Sequence, residues 1–145
     1  PSGPPLLPQA LGAGLGLVLG AAAVGYSALV QQLPDWGQAF RAASAHLAAH
    51  PAERLWMAVM AVGFAPVAEE YLFRGLLFRA LDREWGGARA VWGSAAFFAI
   101  YHPPQAWLPV LLVGVAGALL FKGTRRLWPC VLLHSAYNAV VVWAG

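Results

Sequence analysis

Apolar residues fill Leu6–Val30 with few polar interruptions and no charge. At about 1.5 Å per residue the run makes a helix of ~37 Å, enough to cross a bilayer with tilt. It exceeds the roughly 7–15 apolar residues of a signal-peptide core and has no charged leader, so it reads as a span preceded by a loop, Pro1–Pro5. Gly12, Gly16 and Gly20 recur along it at every fourth position, a small-residue face on which another helix backbone packs closely. Pro34 breaks the run, and Asp35 with Gln38 three residues later reads as a helix N-cap. Beyond it Trp36, Phe40, Ala43 and Leu47 keep helical spacing opposite Arg41 and Ser44, as in a short helix lying in the membrane interface. His46 and His50 in this segment read as solvated or capping histidines.

Pro51 suits the first position of a helix, and the spacing predicts a second long helix over Ala52–Leu81. Pro66 lies inside it and removes one internal hydrogen bond, which opens the helix a turn before Glu69 and Glu70. Asp82–Arg89 reads as a polar loop. Ala90–Tyr101 and Trp107–Phe121 are apolar but shorter than the about 17–25 residues of a full span. The uncharged join His102-Pro103-Pro104-Gln105 makes them a hairpin whose tip stays within the membrane region, covered by protein or lining a cavity. Lys122–Arg126 is the next loop and Leu127–Ala144 the last helix. The expected fold is all-α: a polytopic helical membrane bundle of about five hydrophobic helices plus one interfacial amphipathic helix. Residues 1–50 hold the first span and the interfacial helix, and residues 51–145 hold the core, in one structural domain overall.

Composition sharpens this. Hydrophobic residues make up 60% of the chain and charged residues 10%, against about 25% charged in a soluble domain, so the surface faces lipid. The net charge of +3 is too small to argue for a nucleic-acid partner, and the placement of positive charge matters more. Arg79, Arg83, Arg89, Lys122, Arg125 and Arg126 fall on one side of the predicted topology and Arg41 and Arg54 on the other, which puts the N-terminus in the cytoplasm. Trp85, Trp92 and Trp128 then mark the inner interface, and Trp36, Trp56 and Trp143 the outer one. The single cysteine, Cys130, excludes an internal disulfide and reads as a buried small residue.

Ionisable residues inside apolar helices are the exception that points to chemistry. Glu69-Glu70-Tyr71-Leu72-Phe73-Arg74 places two carboxylates and a guanidinium within a membrane-length helix, where such groups face a cavity or one another and mark a functional site. Counted by helix rise from the inner ends, Glu69 lies ~18 Å deep, His102 ~20 Å, Asn138 ~17 Å and His134 ~10 Å. Three helices thus bring polar side chains to similar depth. Glu70 and Arg74 stand i, i+4 with the acid first, the favourable order for an ion pair. Glu69 points about 100° away from Glu70, so the two carboxylates occupy different environments, which is how acid and base roles become separated. Glu69 is the candidate base, with Glu70 and Arg74 as its support. Simpler readings stand beside this: a structural ion pair, and interhelical hydrogen bonds from His134 and Asn138.

Taken together, Glu69-Glu70-x-x-x-Arg74, Phe98-x-x-x-His102 and His134-x-x-x-Asn138 resemble the CPBP family, which contains the CAAX prenyl endopeptidases of the second type and the Abi bacteriocin-processing or immunity proteins. The resemblance covers about Pro51 to the C-terminus. It implies a glutamate-type intramembrane endopeptidase in which Glu69 and His102 activate the attacking water. His134 and Asn138 would hold the oxyanion, and Glu70 and Arg74 would brace the site. Phe73 and Phe98 are the expected substrate contacts. The substrate implied is a hydrophobic or lipidated, CAAX-like protein or peptide cut near its C-terminus, in a bacterial or archaeal cell membrane. No cofactor is implied. Zinc held by two Glu and two His is the alternative, but the compact H-E-x-x-H arrangement is missing and Asn is a poor zinc ligand. The reading from a different class is a non-catalytic membrane protein that binds a peptide or serves in bacteriocin immunity.

Overall fold

The computed structural model describes Leu6–Ala144; the expected loop Pro1–Pro5 lies outside the described residues. Six helices account for the fold: α1 (Leu6–Val30), α2 (Pro34–Ala49), α3 (Pro51–Glu84), α4 (Gly87–Ile100), α5 (Trp107–Thr124) and α6 (Leu127–Ala144). No strand occurs among the described residues. α1, α3, α6 and α5 with its leading turn (Pro104–Thr124) are each long and apolar enough to cross a membrane. α4, at 14 residues, is ~21 Å long and falls short of the about 30 Å hydrocarbon core. The outward faces are apolar: Leu7, Val18, Phe64, Ile100 and Leu119 are all exposed. A contiguous apolar exterior of this kind requires a lipid neighbour.

α1 and α6 run in the same direction and meet along the glycine face. A Cβ on Gly12 would be driven into the carbonyl of Pro129, one on Gly16 into that of Leu133, and one on Gly20 into the side chain of Val140. The four-residue spacing therefore has a named partner, the helix that carries His134 and Asn138. α4 and α5 form the expected hairpin. Gly114 of α5 lies against Ala95 of α4, and the tip, with a 3₁₀ turn at Pro104–Ala106, reaches the middle of α3. Two apolar clusters fill the interior. Phe73, Phe98, Val113 and Leu133 surround the polar centre, and Phe78, Val91, Phe121 and Cys130 pack toward the arginine-rich end.

Some boundaries differ from the sequence expectation. α2 starts at Pro34, with Leu33 as its N-cap; Asp35 lies in the first turn and makes no capping hydrogen bond. Pro34 both ends the preceding turn and begins the helix, because its missing N–H is one the first turn never uses. α3 continues through Asp82, Arg83 and Glu84, so the expected loop Asp82–Arg89 contracts to a turn at Trp85–Gly86, with Gly86 at φ 63° and Gly87 at φ 52°. Polar residues there mark where the helix leaves the apolar layer, not where it stops.

The expected opening of α3 at Pro66 takes a definite form. Met60–Phe64 is a π-helical stretch in which the Ala65 N–H reaches the Met60 carbonyl, five residues back. A second π stretch, Tyr71–Phe78, follows the acidic pair. Such widened turns are frequent at functional sites.

Candidate active site

Pro66 sets the local geometry. The α-helical partner of the Ala61 carbonyl would be the Ala65 N–H, which is given to Met60 instead; the π-helical partner would be residue 66, which has no N–H. The Ala61 carbonyl is thus left without a backbone donor, at a depth where an unpaired group is costly. Asn138 of α6 supplies the donor: its Nδ2 lies 2.6 Å from Ala61 O. This bond ties α6 to the widened turn directly ahead of the acidic pair.

The acidic pair divides into an inner and an outer member. The Glu70 side chain is 1% exposed; its Oε1 forms an ion pair with Arg74 NH1 at 3.0 Å and a hydrogen bond with His134 Nδ1 at 3.1 Å. Arg74 is equally buried. Its NH2 donates to the Gly114 carbonyl at 3.1 Å, and its guanidinium lies over the Phe98 ring, 4.6 Å from the centroid. Gly117 makes room for it, since a Cβ there would stand 2.7 Å from NH2. Glu69, by contrast, is 21% exposed. Its Oε2 lies 3.9 Å from Nε2 of His102 and 3.9 Å from Nε2 of His134, with no direct hydrogen-bond partner. Separations of this size are suited to a shared water.

Both imidazoles are aimed by their other nitrogen. His102 Nδ1 lies 2.9 Å from the Phe98 carbonyl, an acceptor only, so that nitrogen carries the proton and Nε2 faces Glu69. The backbone carbonyl of His102 accepts from Trp107 Nε1 at 2.8 Å, which holds the hairpin tip in place. His134 donates from Nδ1 to Glu70 and likewise turns Nε2 toward Glu69. Phe98 is the common wall. It stacks edge-on to Phe73 at 5.0 Å and to His134 at 5.4 Å, and lies tilted against His102 at 4.9 Å.

The structure therefore brings Glu69, Glu70, Arg74, His102 and His134 into one cluster from α3, the hairpin tip and α6. Asn138 stands beside it, engaged with Ala61. Phe73 and Phe98, expected as substrate contacts, are buried in the core, and what they touch here is the inner wall of the cluster. Gly114, Gly117, Ala61 and Trp107 were not singled out from sequence. Gly114 carried a signal, since Gly114 and Ala118 are small residues four apart in an apolar helix, a spacing that marks a close approach. For the zinc alternative, the cluster does not offer three ligand atoms within 4.8 Å of one another; among the described residues the set that does is His46, His50 and Glu53, at the α2–α3 corner.

Residues 51–140 match the family model of type II CAAX prenyl endopeptidase Rce1-like proteins. No curated protein and no solved structure matches the chain. The match covers most of the chain, including every helix that builds the cluster, and agrees with the four helices fit to cross a membrane. The chain is an integral membrane protein and belongs to the type II CAAX prenyl endopeptidase Rce1-like family, within the CPBP proteases.

Proposed function

We propose that this protein is a glutamate-type intramembrane endopeptidase that hydrolyses a peptide bond near the C-terminus of a hydrophobic or prenylated, CAAX-like substrate. The observation that carries this reading is the position of Glu69 Oε2, 3.9 Å from both His102 Nε2 and His134 Nε2. In this reading a water bound among the three, oriented by His102, gives its proton to Glu69 as its oxygen attacks the scissile carbonyl, and Glu69 passes that proton to the amine as the C–N bond breaks. General-base assistance of this kind contributes about 10²–10⁴-fold. With Nδ1 donating to Glu70, His134 acts as a donor to the oxyanion from Nε2 in its doubly protonated form, and the second N–H of the Asn138 amide joins it. Glu70, Arg74 and Phe98 position the imidazoles and do not touch the reacting atoms.

Orientation belongs to the same proposal. Asp82 and Arg125 lie 3.7 Å apart, so the ends of α3 and α5 meet on one side, together with Arg79, Arg83, Arg89, Lys122 and Arg126. That side is assigned to the cytoplasm, and since α1 runs parallel to α6, the N-terminus is cytoplasmic too. The exposed Trp85, Trp92 and Trp128 at this end, and Trp56 and Trp143 at the other, fit the two aromatic belts.

The test is cleavage of a quenched, farnesylated CAAX peptide, and of the same peptide without the lipid, by protein in liposomes. Turnover by wild type and its loss in folded Glu69→Gln supports the proposal. Turnover of both peptides at equal rates would keep the protease and remove the prenyl requirement. A folded wild type that binds these peptides but never cleaves them would point to the peptide-binding reading.

A further inference from the structure

The α2–α3 corner carries a second cluster, on the surface and apart from the acidic pair. His46 and His50 are one turn apart at the end of α2, and Glu53 lies in the first turn of α3. The chain reverses at His50–Pro51, and this brings the carboxylate back onto the imidazoles: His46 Nε2 and Glu53 Oε2 are 2.9 Å apart. The two rings lie side by side, with centroids 4.2 Å apart and planes 22° from parallel. His50 Nδ1 is 2.8 Å from the His46 carbonyl, so that nitrogen holds the proton and Nε2 keeps its lone pair. A histidine anchored through one nitrogen to a carbonyl is a prepared metal ligand. Ligand atoms of all three residues lie within 4.8 Å of one another.

We propose that His46, His50 and Glu53 bind a divalent transition-metal ion of the zinc class, with water completing the coordination. Two imidazoles and one carboxylate suit such an ion, at ligand distances of about 2.0–2.2 Å, whereas magnesium and calcium prefer all-oxygen sites. All three side chains are exposed, so closing onto the ion requires no repacking.

The position gives the ion a structural task. A cavity of about 450 Å³, lined by Phe40 and Leu47 of α2, Arg54 and Met57 of α3 and Val141 of α6, separates α2 from the bundle. The corner is where α2 is tied down. A metal bridging its last turn to the first turn of α3 fixes the angle of α2 over that cavity.

The experiment uses tag-free full chain in detergent micelles, titrated with zinc by calorimetry and followed by hydrogen–deuterium exchange. Wild type is expected to take up one zinc at this corner, with slowed exchange across α2, and no such effect from magnesium. His50→Ala and Glu53→Gln should each weaken binding by more than the about 10- to 100-fold that loss of an outer-shell partner causes, while His134→Ala leaves it unchanged. Absence of zinc binding by wild type would overturn the proposal and leave His46–Glu53 a surface ion pair. So would binding that survives His46→Ala and His50→Ala, or that disappears only with His134→Ala, which would place the metal in the membrane-embedded cluster. Copper(II) loading adds a readout independent of affinity: its spin-resonance spectrum should show coupling to two imidazole nitrogens, which His46→Ala reduces to one.

Discussion

Glu69 and Glu70 are neighbours of the same chemistry with opposite circumstances. Glu70 is closed off, with Arg74 and His134 both on one of its oxygens. Glu69, one residue earlier and about 100° around the helix, is partly open and stands 3.9 Å from two imidazole nitrogens without bonding to either. Depth in the membrane does not separate them. The difference is in the partners supplied: Arg74 of the same helix and His134 of α6 both reach Glu70 Oε1, while Glu69 Oε2 bonds to neither imidazole. One carboxylate ties α3 to α6, and the other is the one that the proposed function gives to the attacking water.

The largest expected effect tests the open member. Glu69→Gln should lower kcat for a cleaved peptide by about 100- to 10,000-fold, with thermal unfolding in detergent nearly unchanged. Unfolding together with the loss of activity would erase the contrast, since Glu69 would then be structural as well. The closed member should respond in the opposite sense. Arg74→Ala strands a buried carboxylate and should destabilise the fold by about 3–5 kcal/mol, read as a lower denaturation midpoint. If the midpoint holds and only activity falls, Glu70 and Arg74 act on substrate and the division proposed above is wrong.

Gly117 offers a gentler way to disturb the closed half. A methyl group there meets the Arg74 guanidinium at its NH2, Nε and Cζ atoms, and such overpacking should cost about 1–3 kcal/mol. The loss should shrink when Arg74 is already alanine, because residues in contact are not additive. An undiminished loss in that double variant would trace the effect to the α4–α5 packing instead.

Much of this was legible in the chain because helical geometry is regular. Rise per residue brought Glu69, His102 and the polar face of the last helix to similar depth, and i, i+4 spacing paired Glu70 with Arg74. The Gly12, Gly16 and Gly20 face announced a close helix contact but not its partner, which is a tertiary fact. Less legible was anything that depends on which carbonyl each N–H selects. Side-chain spacing does not record a shift from i−4 to i−5 bonding, so the Ala61 carbonyl could not be recognised as lacking a donor. In the sequence, the role of Asn138 at the oxyanion therefore rests on the family resemblance, beside the simpler reading of an interhelical hydrogen bond. Phe73 and Phe98 illustrate a related limit: an aromatic residue next to charged ones can face substrate or pack behind them, and spacing alone does not say which.

Asn138 supplies the finest test of the contrast, because it serves the scaffold by one N–H and is proposed to serve the open half by the other. Asn138→Ala should cost about 1–3 kcal/mol, the penalty of leaving the part-buried Ala61 carbonyl unpaired. Pro66→Ala restores an N–H at residue 66 that can reach the Ala61 carbonyl, so in that background the stability cost should fall by about 1 kcal/mol or more. Equal costs in both backgrounds would show that the carbonyl is not what Asn138 serves. The catalytic part separates in the same cycle: if the second N–H reaches the oxyanion, Asn138→Ala still lowers kcat by about 10²–10³-fold after Pro66→Ala has repaired the backbone. A kcat that recovers along with stability would assign Asn138 wholly to the closed half, leaving His134 as the donor facing Glu69.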